Sequence, residues 1–212
     1  MNKIYIFRAT GAVICMIALA IGVGFYFASY YQAQSRPDIQ GLLWPNPKQL
    51  RAFATIDDNG QVFGLDRLQG KWSFLFFGYT HCPDVCPLTL AVLNQFLNQV
   101  KDKYRDLQVV FVTVDPNRDN AQRLKDYVNY FNPDFIGVRG NIDQIQSLTS
   151  QVGVVFAYGK KSEDGNYTVN HSAAIFLIDP KGRVVAVFTA PHQVDSIQNR
   201  YKMIREFIEQ QS

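Results

Sequence analysis

The sequence predicts an α/β domain, a mixed sheet flanked by helices, preceded by one membrane-spanning helix. Three observations predict it. Residues 72–80, WSFLFFGYT, are continuously apolar and aromatic, as a central strand buried on both faces requires. Leu90, Leu93, Leu97 and Val100 recur at helical spacing soon after, and Pro87 suits a first helical turn. Residues 9–31 carry no charge at all.

That uncharged stretch of 23 residues would extend about 34 Å as a helix, against a hydrocarbon core of about 30 Å. Lys3 and Arg8 precede it, and Phe25, Tyr26, Phe27, Tyr30 and Tyr31 crowd its far end. The excess of positive charge before the span puts residues 1–8 in the cytoplasm and everything after residue 31 outside. A cleaved secretory signal is the alternative; the apolar stretch exceeds the usual length of about 7–15 residues, and YQAQ is a poor cleavage site. No Arg- and Ser-rich presequence is present, so the expectation is a single-pass protein of a bacterial inner membrane with a periplasmic domain. Residues 32–49, with Pro37, Pro45 and Pro47, read as a linker or a docked extended segment. The folded domain is expected over 50–212.

Within it, RAFATI and QVFGL flank Asp57, Asp58, Asn59 and Gly60 as a hairpin would. After the central strand and its helix come a strand at 107–115, LQVVFVTVD, and a helix from Asp119 to Phe131. A short strand FIGVR, a helix from Asp143 to Gln151 and the strand GVVFAYG follow. AAIFLID and RVVAVFT pair across Pro180, Lys181 and Gly182, and an amphipathic helix runs from Asp195 to Gln210. Strand, helix, strand, helix, then a terminal hairpin and a last helix is the thioredoxin order.

Composition excludes some functions. The net charge of +3 falls to +1 once Lys3 and Arg8 are set aside, so there is no nucleic-acid footprint. The three cysteines do not form a disulfide framework, because Cys15 lies in the apolar run while Cys82 and Cys86 sit four apart in a polar loop. Of the three methionines only Met203 lies beyond the N-terminal apolar region, so a site for a soft metal has to be built on Cys82 and Cys86.

GYTHCPDVCP places those two thiols where a buried strand ends and a helix begins. Sulfurs at i and i+4 can converge on one atom there, and the unpaired N–H groups of the helix start favour thiolate. Two thiolates and one imidazole would suffice for Cu(I), with Cu(II) the other oxidation state left open, whereas structural zinc takes four ligands. His171 is the first choice for the imidazole, because the preceding EDGNYTVN can fold back over the cysteine helix. His81 should point away from Cys82, and His192 should lie at the surface. Asp84 is either an outer neighbour of the metal or a solvated turn residue. Asp115, ending VTVD, either bonds near the cysteine loop or caps the next turn. Tyr79 and Phe77 read as core or rim packing.

With these residues in view, the chain resembles the SCO/SenC family of copper chaperones. The matching stretches are FFGYTHCPDVCP at 76–87, VTVDPNRDN at 112–120, NPDFIGVRG at 132–140 and YTVNHSAAIFLIDPKG at 167–182. The resemblance implies a thioredoxin-like fold, an N-terminal anchor and copper held by Cys82, Cys86 and His171. It also implies delivery to the dinuclear copper centre of cytochrome c oxidase subunit II, with other periplasmic copper carriers or thiol reductants as further partners. Asn170 stands where many relatives carry Asp, which touches tuning around the ligands rather than the ligand set. A thiol-disulfide oxidoreductase, with Cys82 attacking and Cys86 resolving, is the competing expectation. A structural disulfide and a peroxidase complete the alternatives.

Overall fold

The computed structural model of the protein describes residues 16–27, 39–43 and 45–211. Two compact units are defined, one taking in residues 1–38 and the other Ile39–Gln210. In the first, residues 16–27 are helical with exposed side chains. No helix among the described residues is long and apolar enough to cross a membrane. The span expected over 9–31 lies partly outside the described residues, as does Cys15.

The second unit is organised by one eight-stranded mixed sheet. Its strands are β1 (Lys48–Gln49), β2 (Ala54–Asp57), β3 (Val62–Gly64), β4 (Trp72–Gly78), β5 (Leu107–Thr113), β6 (Ile136–Arg139), β9 (Ile175–Ile178) and β10 (Arg183–Phe188). Across the sheet they run β1-β10-β9-β4-β5-β6-β2-β3. β4, β5 and β6 are parallel, and β9 lies antiparallel on the other side of β4. Strands β7 (Phe156–Tyr158) and β8 (Val169–His171) pair only with each other, antiparallel. Four helices accompany the strands: α1 (Val85–Val100), α2 (Ala121–Phe131), α3 (Ile142–Val152) and α4 (Val194–Gln210).

All seven residues of β4 are buried, as its unbroken apolar run predicts. Phe74 meets Phe96 of α1, Phe188 of β10 and Tyr201 of α4 at ring-centroid distances of 5.0, 5.6 and 5.5 Å. Each such side chain contributes about 1.5–3 kcal/mol by leaving water, so this aromatic junction fixes α1 against the sheet. The helix ends are set locally. Asn120 Oδ1 accepts from the Arg123 amide to start α2, and Asn141 and Gln144 form a reciprocal capping box for α3.

The second unit takes in residues before Leu50, from Ile39. Leu42, within the expected linker, is fully buried and bridges Ala186, and β1 adds to the edge of β10. Gly41 lies at φ +81°, where a Cβ would come 2.0 Å from the Val187 carbonyl oxygen, so only glycine lets the chain approach this closely. The docked-segment reading of residues 32–49 holds from Ile39 onward. The expected strand GVVFAYG also contracts, because Gly153 takes φ +82° to end α3 and only Phe156–Tyr158 pair.

Candidate metal centre

β4 delivers the chain at Gly78 to the loop 79–84, and α1 begins at Val85. The Cys82 amide donates to the Tyr79 carbonyl at 3.2 Å, closing a turn that folds Cys82 back toward the sheet. Cys86, in the first turn of α1, is wholly buried, and Cys82 is 9% exposed. Gly78 makes room for this: a Cβ there would stand 2.8 Å from Cys86 Sγ. Both thiols are free.

His171 ends β8. Its Nδ1 lies 2.9 Å from the Ser172 carbonyl oxygen, which can only accept, so Nδ1 carries the proton and Nε2 offers a lone pair. That Nε2 is 3.4 Å from Cys86 Sγ. The ring is packed edge-on against Tyr79 at 5.8 Å and lies 6.3 Å from Phe76. The ligand atoms of Cys82, Cys86 and His171 all lie within 4.8 Å of one another, the one cluster of this kind among the described residues.

The two thiols are not equivalent. A hydrogen bond from the Cys86 S–H, against the opposing effect of burial, carries the Cys82 thiol down to about 4, with the amides of Asp84 and Cys86 assisting. Being that donor, and being buried, pushes the Cys86 thiol well up. A thiolate beside a held proton is competent both as a nucleophile and as a soft ligand.

Around this cluster the structure sorts the other expected residues. Asp84 is exposed and its side chain makes no capping bond; only its amide reaches the site, toward Cys82. Asn170 is exposed, one residue from His171 on a strand and therefore on the opposite face. Asp84 thus matches the solvated turn alternative, and the Asn170 side chain faces away from that of His171. Asp115 is fully buried, and of the two expected places its carboxylate meets the following turn, at Arg118. It pairs with Arg118 Nε and accepts from the Tyr167 hydroxyl at 2.7 Å. His81 points away as expected, accepting from Arg123 Nη1 at 2.9 Å. His192 is not at the surface. It is half-buried with Nε2 2.7 Å from the Ala173 carbonyl oxygen, and desolvation lowers its pKa.

Sequence reasoning missed the residue that anchors the cysteine loop. Asp119 is fully buried, and its two carboxylate oxygens accept from the Thr80 amide at 3.0 Å, the Thr80 hydroxyl at 2.6 Å and the Thr113 hydroxyl at 2.6 Å. Asp119 follows Asp115 by four residues within VTVDPNRDN, so the signal was a second acid in a short stretch, read instead as a helix start.

Fold and cluster together define a class: a thioredoxin-like domain carrying two cysteines and a histidine poised to hold a metal. The sequence pattern of the SCO1/SenC family matches residues 45–206, and the chain belongs to that family. It is 32% identical over 194 residues to an SCO2-like protein of Rickettsia prowazekii, covering 90% of this chain and 95% of that one. Among solved structures, ScoI of Arabidopsis thaliana with copper bound is similar at a TM-score of 0.68 and 34% identity, covering 76% of this chain and 98% of that one. ScoI of Bradyrhizobium japonicum with copper bound gives a TM-score of 0.67 and 30% identity over 75% of this chain and 99% of that one.

Proposed function

We propose that this protein is a copper carrier that binds one copper ion through Cys82 Sγ, Cys86 Sγ and His171 Nε2 and delivers it to the dinuclear copper centre of cytochrome c oxidase subunit II. The observation that carries the reading is the convergence of three soft donors within 4.8 Å around a largely buried point. No carboxylate joins them, since Asp84 is exposed and Asp115 and Asp119 are committed to other donors. Such a donor set suits three-coordinate Cu(I) and falls short of the four ligands of structural zinc. Copper bound in the two ScoI relatives supports the same choice. The uncharged residues 9–31 support a single anchor in a bacterial inner membrane, with residues 1–8 cytoplasmic and the domain periplasmic.

His171→Ala tests the ligand set. Outer neighbours of a metal alone change affinity about 10–100-fold, so loss of a ligand lowers Cu(I) affinity by more than that in anaerobic competition against a chromogenic chelator. Wild-type affinity in the variant, or stoichiometric zinc in the anaerobically purified protein, refutes the reading. A periplasmic reporter fused after residue 212 checks the orientation; activity confined to the cytoplasm refutes it.

The unequal thiols favour a second reading, thiol-disulfide exchange. Cys82 thiolate attacks a disulfide of the oxidase copper site, forming a mixed disulfide and releasing one partner thiolate; Cys86, its proton passing to that thiolate, attacks Cys82 Sγ, closes a Cys82–Cys86 disulfide and releases the second partner thiolate, so that two electrons pass to the partner. It predicts reduction of the oxidised subunit II domain without copper, and absence of that reaction refutes it.

A further inference from the structure

The two halves of the cluster belong to different parts of the fold. Cys82 and Cys86 follow directly from the central strand, whereas His171 ends β8, which pairs with β7 and with no strand of the main sheet. Downstream, three residues join His171 to β9, which pairs with β4, and the Tyr79 ring packs on the imidazole; upstream, the arm needs a hold of its own. One loop, Asp115–Asp119, touches both halves.

On the thiol side, Asp119 accepts from the amide and hydroxyl of Thr80, two residues before Cys82. On the imidazole side, Asp115 pairs with Arg118 and accepts from the Tyr167 hydroxyl. Arg118 Nη1 also donates to the Tyr167 carbonyl oxygen at 2.8 Å, and its guanidinium stacks 3.5 Å from the Tyr167 ring centroid. Tyr167 stands four residues before His171 on the arm that becomes β8. The loop itself is closed, because the amides of Arg118 and Asp119 both donate to the Asp115 carbonyl.

We propose that the loop Asp115–Asp119 is a positioning bracket, in which Asp119 fixes the thiol loop and the Asp115–Arg118–Tyr167 cluster fixes the arm bearing His171. None of the three residues of that cluster touches the metal donors, so they act through the arm. The inference rests on the copper-carrier reading only for its consequence; the mechanical claim stands on the metal-free protein. Hydrogen bonds to charged groups contribute about 1.5–3 kcal/mol, and about 1.4 kcal/mol is tenfold in an equilibrium. Cutting the clamp therefore raises the open population of the arm, and weakens copper binding, by about tenfold or more.

The test uses the full chain with Arg118→Gln, which removes charge and stack, and Tyr167→Phe, which removes one hydroxyl and spares the ring. Amide hydrogen exchange on metal-free protein reads the arm at Val169–His171 and the loop at Thr80–Cys82 separately. The expected result is exchange at least tenfold faster across Val169–His171 in Arg118→Gln, a smaller effect in Tyr167→Phe, unchanged protection at Thr80–Cys82, and Cu(I) affinity lowered in the same order. Unchanged exchange at Val169–His171 in both variants overturns the bracket. Faster exchange with wild-type copper affinity also overturns it when His171→Ala does weaken binding, because the arm then does not place the ligand. If His171→Ala leaves affinity unchanged too, the copper ligand set has failed, and the exchange result alone decides the bracket. Loss of protection throughout Arg118→Gln, at Thr80–Cys82 as well, with Tyr167→Phe like wild type, assigns Arg118 to general stability and overturns it.

Discussion

Gly78→Ala perturbs fold and site at one atom. A Cβ on Gly78 would stand 2.8 Å from Cys86 Sγ and 2.7 Å from Phe111 Cε2, roughly 0.7–1.3 Å inside the optimum of about 3.5–4.0 Å. Neither neighbour can give way freely. Phe111 is fully buried between Phe76 and Tyr127, at 5.9 and 5.5 Å, and Cys86 is held in the first turn of α1. Relief therefore means moving β4 and α1 apart, an overpacking that costs about 1–3 kcal/mol, or roughly 2–12 °C in Tm for a chain of this size. The same movement alters the 3.4 Å spacing of Cys86 Sγ and His171 Nε2, while binding sites tolerate only about 0.5 Å, so Cu(I) affinity falls about tenfold. Thermal melting and chelator competition measure both, with Asn141→Ala as the comparison: it removes a cap of about 0.5–2 kcal/mol on α3, outside the cluster, and should lower Tm without changing affinity. If Gly78→Ala lowers Tm but binds copper like Asn141→Ala, glycine serves packing alone and does not place the thiols.

Other perturbations give separate readings. The Cys82 thiol, lowered from 9.0 to about 4, adds stability at pH above its unfolded value that is lost as pH falls toward 4, while the raised Cys86 thiol acts oppositely above about pH 9. Urea midpoints of the metal-free protein should therefore fall between pH 8 and pH 5 by more in wild type than in Cys82→Ser; equal falls refute the thiolate assignment. Asp119→Asn places an amide donor against the donors of Thr80 and Thr113, costing about 1–3 kcal/mol by denaturation and speeding alkylation of Cys82; unchanged stability refutes the anchoring role. Leu42→Ala should cost about 2–5 kcal/mol because the side chain is fully buried, and a cost below 0.5 kcal/mol would mean the segment from Ile39 is dispensable.

The parts of this molecule that were legible in the sequence are those whose signal is local and dense. WSFLFFG needs no partner to announce a buried strand, and Leu90, Leu93 and Leu97 mark the inner face of α1, on which all three are buried. The cysteine loop lies between them and was placed with them. Two-residue β1 and the three-residue strands β7 and β8 are too short for a period-two pattern to register, so where the docked segment joins the sheet, and that β7 pairs with β8, carry no signal of their own. Asp119 and Arg118 act on residues 39 and 49 positions away, at Thr80 and Tyr167, and no spacing rule reaches that far. His192 failed for a related reason: PHQ reads as an exposed turn, but β9 and β10 bring it against Ala173. His171 could be chosen over the other histidines because the order of elements, rather than any local pattern, folds its strand back over α1.

That division between local and distant determinants is also a division of mobility within the site. Cys86 is locked by Gly78 and Phe111 at the meeting of β4 and α1, and cannot move without disturbing the core. Cys82 is nearly as enclosed but sits on the loop, where its amide and that of Asp84 hold it through backbone contacts. The imidazole is the partly exposed member and is carried by a two-stranded sheet tied to the body through side chains. A carrier must grip its ion and still surrender it by ligand exchange, which proceeds through whichever donor can be displaced at least structural cost. On the copper-carrier reading that donor is His171: an incoming ligand can replace the imidazole while both sulfurs stay in place, and Cys86, fixed by the core, is the last to let go.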